Sequence, residues 1–470
     1  MKKPARNFRI ENDTMGKVRL PSDVYYGAQT QRALENFQIS ALKFQTRFIR
    51  SLCAIKLAAA KANVKLGLID KERGGGIVVA AKEALSGKFD DQFVLDIFQT
   101  GSGTSINMNA NEIIANRATE ILGGKKGGKT VVHPNDDVNM CQSSNDVFPT
   151  AMHLAAMEAV KKDLLPSIRA LEFSLKKKAK AFKPIVKAGR THLQDAVPIT
   201  LGQEFSGYAS MVTHGIRRIE NCLPHLSELP IGGTAVGTGL NAHPKFARFV
   251  IDELRRETGL DVRQSENLFE ALQNKDAAVE LSGALNVIAV SLMKISNDLR
   301  LLYSGPRTGL NEIELPAIQP GSSIMPAKVN PVIPEAVGMV AAKVMGNNVT
   351  ITVAGQAGNL ELNTMMPVIA FTLLESIEIL SRAARTLAEK CIDGIKANKA
   401  TTRRYAENTL ALITVIAPLT GYVRGAQIAK KALASKKSIH ELLIEEGVFP
   451  RGQVDAILNP RKIAKGGRIS

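Results

Sequence analysis

Gly321-Ser322-Ser323-Ile324-Met325-Pro326-Ala327-Lys328-Val329-Asn330-Pro331 sets two adjacent hydroxyls, one cation and one amide in a short run bounded by glycine and proline. That composition reads as a loop rather than a helix or strand. Loops held on rigid scaffolds are where binding and chemistry concentrate. A serine followed by a lysine also occurs in ordinary polar turns, so the run has to be weighed with its surroundings.

The flanking pattern is helical. Val279, Leu281, Leu285, Ile288, Leu292, Ile295, Leu299 and Leu302 recur at helical spacing within the proline-free stretch 245–305, and Ser304-Gly305-Pro306 supplies a stop. The stretches 151–182, 201–226 and 335–390 read the same way, the last broken near Gly355–Gly358 and at Pro367. Helices of this length exceed the ~10–14 residues usual in globular proteins and point to a bundle, one shared between subunits. Strand signals are few. The expected fold is mainly α in three parts: an N-terminal domain over 1–140, a central long-helix bundle over 141–395, and a small helical domain over 396–470.

Composition narrows the function classes. The chain has 470 residues, 45% hydrophobic and 22% charged, as expected of a soluble globular protein. No apolar run approaches the ~18–20 residues that span a bilayer, so no membrane role is expected. The basic start Met1-Lys2-Lys3-Pro4-Ala5-Arg6 has no apolar stretch after it, and Glu11 and Asp13 follow early, unlike a secretory signal. Cys53, Cys141, Cys222 and Cys391 are far apart, which argues against a disulfide framework or a zinc site and for a reducing cytoplasm. The net charge of +17 invites a nucleic-acid reading. The basic residues are dispersed, however, and no basic-aromatic platform accompanies them, so no nucleic-acid partner is expected. A basic field also draws in small dianions.

Four further polar segments separate the helices. Gln99-Thr100-Gly101-Ser102-Gly103-Thr104 offers hydroxyls and free N–H groups just ahead of a helix, an arrangement that binds anions. Ser143-Ser144-Asn145-Asp146 also precedes a helix, where N-capping is the plainer reading. His133 and Asp136 lie close in sequence, but no further cluster has metal-ligand spacing, so no metal is expected. His192, in Gly189-Arg190-Thr191-His192-Leu193-Gln194-Asp195, stands in a polar connection where acid/base work is possible. Gly232-Gly233-Thr234-Ala235-Val236-Gly237-Thr238-Gly239 lacks the order of a dinucleotide fingerprint and reads as close backbone packing. No nucleotide-binding motif is present, so no redox cofactor is expected.

Taken together, and with Gly27-Ala28-Gln29-Thr30-Gln31, these segments resemble the fumarase/aspartase superfamily over essentially the whole chain. The 321–331 run looks like that superfamily's signature. The resemblance implies a homotetramer with a central helical bundle, each site being built by three subunits, and a small dicarboxylate as substrate. Carried over by motif position, it implies Ser322 as catalytic base, His192 as acid/base histidine and Glu335 as its acidic partner. Substrate contacts would come from Ser102, Gly103 and Thr104, from Ser143, Ser144 and Asn145, and from Thr191. Ser323, Lys328, Val329 and Asn330 would complete them. His133, Pro134, Asn135 and Asp136 would form a second dicarboxylate site.

The forms of 99–104, 143–145, 133–137 and 232–234 resemble the fumarase branch, which implies reversible addition of water to fumarate. The stretches 327–335 and 310–313 look like the aspartase branch, and Met365-Met366-Pro367 fits neither. An ammonia-lyase acting on aspartate is therefore the alternative, with a catalytically silent relative of the same fold as a further one.

Overall fold

The computed structural model describes residues 7–467. The chain is mainly helical, and among the described residues every sheet has only two strands. The long helices fall where the apolar spacing predicts them: Leu201–Leu226, Asp276–Tyr303, Val332–Gln356 and Met366–Lys390. The third of these ends at Gly355–Gly358 and the fourth opens at Pro367, a residue tolerated in a first helical turn because its missing N–H has no partner there anyway.

Some expectations need correction. The proline-free stretch 245–305 is not one helix. Phe246–Thr258 stops at Gly259, whose φ of +69° closes the helix end. A short strand, Arg263–Gln264, and the helix Leu268–Gln273 follow before Asp276. Hairpins also went unread. Phe8–Asp13 pairs antiparallel with Gly16–Pro21, and Val186–Thr191 with Gln194–Thr200.

The absence of an apolar run holds only for uninterrupted residues. Asp276–Tyr303 and Val332–Gln356 are each long and apolar enough, by length and average composition, to cross a membrane. Isolated polar residues such as Ser282 and Asn348 hide this from a search for runs. In the fold these two residues hydrogen-bond to each other at 2.9 Å, a side-chain contact between the two helices.

The contacts divide the chain into two compact units: Met1–Leu165 with Arg217–Asn286 and Lys343–Ile379, and Pro166–Ile216 with Val287–Ala342 and Leu380–Ser470. In the first, Thr46–Lys65 is buried nearly all round, as its alanine-rich middle allows. Phe48 on that helix stacks and tilts against Phe44 and Phe148. The buried Glu112 accepts from the backbone N–H groups of Gly27, Gln29 and Thr30 and from the Thr30 hydroxyl, filling the orphan donors at the start of Ala28–Asn36. A Cβ at Gly27 would lie 2.7 Å from a Glu11 carboxylate oxygen, so a larger residue there would have to displace the Glu11 and Glu112 carboxyl groups. In the second unit the C-terminal helices enclose their own apolar cluster, including Leu412, Ile416, Ile428, Leu442 and Ile457.

His153, on the helix Ser144–Ala159, ties that helix to the strand Glu228–Leu229 through a 2.8 Å bond from Nδ1 to the Glu228 carbonyl. A carbonyl only accepts, so Nδ1 carries the proton. Burial pushes the imidazole down to about 4. Its folded value lies below the unfolded ~6.5, so its contribution to stability is present above that pH and is lost as pH falls toward 4. His153→Gln should flatten the acid limb of a denaturant-midpoint profile between those values. With the ring partly exposed, the difference should be on the order of 2 kcal/mol.

Candidate active site

The 321–331 run is a loop that closes on itself. Gly321 donates its N–H to the Lys328 carbonyl at 2.8 Å, and the Asn330 side-chain amide donates to the Gly321 carbonyl. A Cβ at Gly321 would lie 2.4 Å from the Lys328 oxygen, so only glycine permits the closure. Inside the loop the Ser322 Oγ accepts from the N–H groups of Met325 at 3.0 Å and Ile324 at 3.3 Å. Donors aimed at an oxygen favour its ionised form. Ser323 is exposed, and among the described residues no such donor meets its hydroxyl. Ala327 holds a φ of +65°, a left-handed conformation that strains a residue with a Cβ. Lys328, Val329, Asn330 and Glu335 line a cavity of about 720 Å³ together with Asn297, Arg300 and Tyr303. The Tyr303 hydroxyl donates to the Val329 carbonyl at 3.3 Å.

His192 is not in a loop between helices. It is the first residue of the two-residue turn joining Val186–Thr191 to Gln194–Thr200. Both turn residues have positive φ, His192 at 56° and Leu193 at 60°. This is the geometry of a type I′ turn, whose twist suits a hairpin and which normally takes asparagine or glycine. A His-Leu pair there gives no turn signal, which is why the hairpin was missed. Thr191, His192 and Leu193 are all exposed. Among the described residues no hydrogen bond or ion pair joins His192 to Glu335. Both belong to the second unit, as does the 321–331 loop.

The remaining substrate-contact candidates belong to the first unit, where they do come together. Gly103, with φ of +75°, caps Thr104–Ile121, and Ser143 caps Ser144–Ala159. A Cβ at Gly103 would strike the Phe148 ring, so the two helix starts approach through a glycine. A line of hydroxyls connects them: Ser102 Oγ lies 2.8 Å from Thr104 Oγ1, which lies 2.7 Å from Ser144 Oγ. Two helix N-termini and three hydroxyls form a surface suited to an anion. The Ser143 hydroxyl is engaged as a cap, accepting from the Asn145 N–H. The Asn145 amide donates to the Ala235 carbonyl at 2.8 Å.

Asp146 holds this turn. Fully buried, its carboxylate accepts from the N–H groups of Ser143 at 2.9 Å and of Gly232 and Thr234 at 3.0 Å each. Burial pushes the acid up to about 6 against the pull of those donors and of the Lys56 charge. The glycines of 232–239 pack closely, as read from the sequence: a Cβ at Gly233 would lie 2.6 Å from Leu272.

At the third candidate segment the His133 ring caps the turn Pro134–Val138. Its Nδ1 accepts from the N–H groups of Asn135 at 3.3 Å and Asp136 at 3.2 Å. Both Asn135 and Asp136 are exposed, while Pro134 is buried. The same Nδ1 also lies 3.2 Å from an Asp136 carboxylate oxygen. Among the described residues no group of three or more His, Cys, Asp or Glu side chains is placed to hold a metal ion.

Sequence reasoning missed Lys56. It is wholly buried, and its ammonium donates to Asn139 Oδ1 and Gln142 Oε1, each at 3.0 Å. Asn107 and Asn111 donate to the same Asn139 oxygen. The segment 139–142 joins the His133 turn to the Ser143 cap, so Lys56 supports both from beneath. Burial drives its ammonium down to about 7. A lysine within Cys53-Ala54-Ile55-Lys56-Leu57-Ala58 is the signal that could have found it.

Residues 16–346 match the family described as "Lyase", and residues 412–465 match "Fumarase C C-terminus". The chain is 49% identical over 458 residues to a class II fumarate hydratase of Nitrosomonas europaea, covering 97% of this chain and 99% of that one. It is 48% identical over 461 residues to an aspartate ammonia-lyase of a Bacillus species, covering 98% of each. Its fold matches the crystal structure of a class II fumarase from Schistosoma mansoni with a TM-score of 0.95 at 41% identity, covering 97% of this chain and 99% of that one.

The Asp146 contacts predict the result of Asp146→Asn. One amide oxygen remains to accept, while the new NH2 faces N–H donors. Urea unfolding should show a loss of about 2–4 kcal/mol, the cost of stranding buried donors. A loss under half a kilocalorie would mean that the turn is held by other contacts.

Proposed function

We propose that this chain, which belongs to the fumarase/aspartase lyase family, is a class II fumarate hydratase that adds water reversibly to fumarate to give L-malate. The observation that carries the reading is the Ser322 hydroxyl. Its oxygen accepts two backbone N–H groups inside a loop that also bears Lys328 and Asn330.

In the malate direction Ser322, as an alkoxide, takes the proton from the carbon beside a carboxylate. The electron pair moves into that carboxylate, giving a dianionic aci form. Lys328, Asn330 and loop N–H groups stabilise the developing charge, and donors of this kind are each worth ~3–4 kcal/mol. The C–O bond then breaks, and His192, with Glu335 as its acidic partner, protonates the departing hydroxide. Ser102, Gly103, Thr104, Ser144, Asn145, Thr191, Ser323 and Val329 surround the substrate, with Ser143 acting through its cap. His133, Pro134, Asn135 and Asp136 form the second dicarboxylate site.

The same proposal places the chain in the tricarboxylic acid cycle of the cytoplasm, an assignment that its four free thiols suit. It also makes the chain a homotetramer with sites shared between subunits. Supporting this, the two long apolar helices Asp276–Tyr303 and Val332–Gln356 keep large side chains exposed: Val290 at 51% on the first, and Met339 at 69% and Val349 at 61% on the second. Faces of this kind are covered by protein in a stable assembly. They are assigned here to further copies of the chain rather than to lipid. The three-part division at 140 and 395 belongs to the same proposal, supported at its end by the closed apolar cluster of the C-terminal helices.

The aspartate ammonia-lyase reading has one specific support, the 48% identity to such an enzyme over nearly the full chain. Incubation with fumarate, with and without ammonium, and identification of the product by NMR separates the two. Malate is expected in both mixtures, and aspartate formed only with ammonium would overturn the hydratase reading. Ser322→Ala should reduce turnover by roughly 10²–10⁴-fold, the usual worth of a positioned base, while dicarboxylate binding measured by calorimetry persists. Undiminished turnover would remove Ser322 from the base role.

A further inference from the structure

Glu312 is fully buried, and its carboxylate is met by two cations from a single strand. Its Oε1 accepts from Arg190 Nη1 at 2.7 Å, and its Oε2 lies 3.1 Å from Lys187 Nζ. Lys187 is itself buried and also pairs with Glu204 at 2.9 Å. Both cations stand on Val186–Thr191, the strand that ends at the His192 turn. All of these groups belong to the second unit.

The odd spacing of Lys187 and Arg190 would send their side chains to opposite faces of a regular strand. This strand is not regular. The register shifts between Ala188 and Arg190, where Ala196 and Val197 together oppose Gly189. Bulges of this kind raise the local twist and re-aim side chains. A Cβ at Gly189 would lie 2.7 Å from the Val197 carbonyl, so glycine is needed at that point. The extra residue lies on Gln194–Thr200, and in this irregular hairpin both cations reach one carboxylate. The Arg190 guanidinium also sits over the Tyr405 ring, 5.4 Å from its centroid.

Glu312 is a firm anchor. Its own N–H donates to the Leu302 carbonyl at 2.8 Å, and its carbonyl accepts from the Asn398 N–H at 2.9 Å. At the other end of the hairpin, His192 and Leu193 occupy a strained turn that few side chains adopt. Such strain persists only where the surroundings over-determine the backbone. The exposed tip supplies no such surroundings, whereas the base does.

We propose that Glu312 is a positioning residue for the reaction, holding Thr191 and His192 in place through Lys187 and Arg190. The inference rests on the hydratase reading, in which His192 handles the water. It names no contact between Glu312 and substrate.

The test uses Glu312→Gln, which keeps the shape and removes the charge, with Arg190→Gln as a milder variant should the first fail to fold. Amide exchange of residues 188–195 should quicken by about tenfold or more in either variant while the helix Asp276–Tyr303 keeps its protection. The kcat should fall roughly 10–100-fold with KM for fumarate changed far less, since a misplaced group costs turnover rather than binding. Glu312→Asp, which keeps the charge, should restore part of the kcat lost in Glu312→Gln. Parent-like exchange at 188–195 would overturn the proposal, as would loosened exchange with an unchanged kcat. A parent chain that makes no malate would instead remove the hydratase reading, and the exchange result does not depend on it.

Discussion

Burying a carboxylate costs several kcal/mol unless its lone pairs are filled, and this chain buries Glu112, Asp146 and Glu312 at three of its polar junctions. Each is met by a different kind of partner. Glu112 takes backbone N–H groups and a hydroxyl at a helix start. Asp146 takes N–H groups from two separate turns. Glu312 takes two side-chain cations. Long apolar helices bring large area out of water but do not fix the geometry of the short polar segments between them. Those segments depend on charges that would be unsatisfied in any other arrangement.

The polar segments differ in how their shape is set. At Gly103, Gly189 and Gly321 a side chain would collide with a ring or a carbonyl, so absence of a Cβ permits a close approach. At His192, Leu193 and Ala327 side chains occupy left-handed backbone that glycine would adopt more easily. These three residues lie in the two segments of the second unit assigned to proton transfer and charge stabilisation. Strain gathered at such places, and held by a rigid surround, is the pattern expected of preorganised chemistry.

The two groups of candidate residues solve different problems. Ser102, Thr104 and Ser144 make a continuous run of hydroxyls over two helix N-termini, well suited to hold a carboxylate but without a strong base. Ser322 has donors aimed at its oxygen and a cation in its loop, which suits ionisation. In the proposed reaction the first group would bind and the second would react, a division that suits the electrostatics of each.

Period alone located the long helices, because burying an apolar stripe requires leucine and isoleucine at the spacing seen from Val279 to Leu302. The density of special residues in 321–331, 99–104 and 143–146 located the loops, because hydroxyls, glycine and proline have few other uses in such concentration. Beyond that point the sequence was silent or misleading. It read 189–195 as a polar connection, since a His-Leu turn carries no hairpin signal. It passed over Lys56 and gave Glu312 no role, since the partners that make a buried charge tolerable lie far away along the chain. The sequence by itself determined the helical class and the family resemblance, both of which are encoded locally. Only the tertiary structure decided which hydroxyl is a cap and which is free, and which charge holds which turn. Those depend on hydrogen bonds between distant residues, and burial alone makes such bonds strong enough to matter.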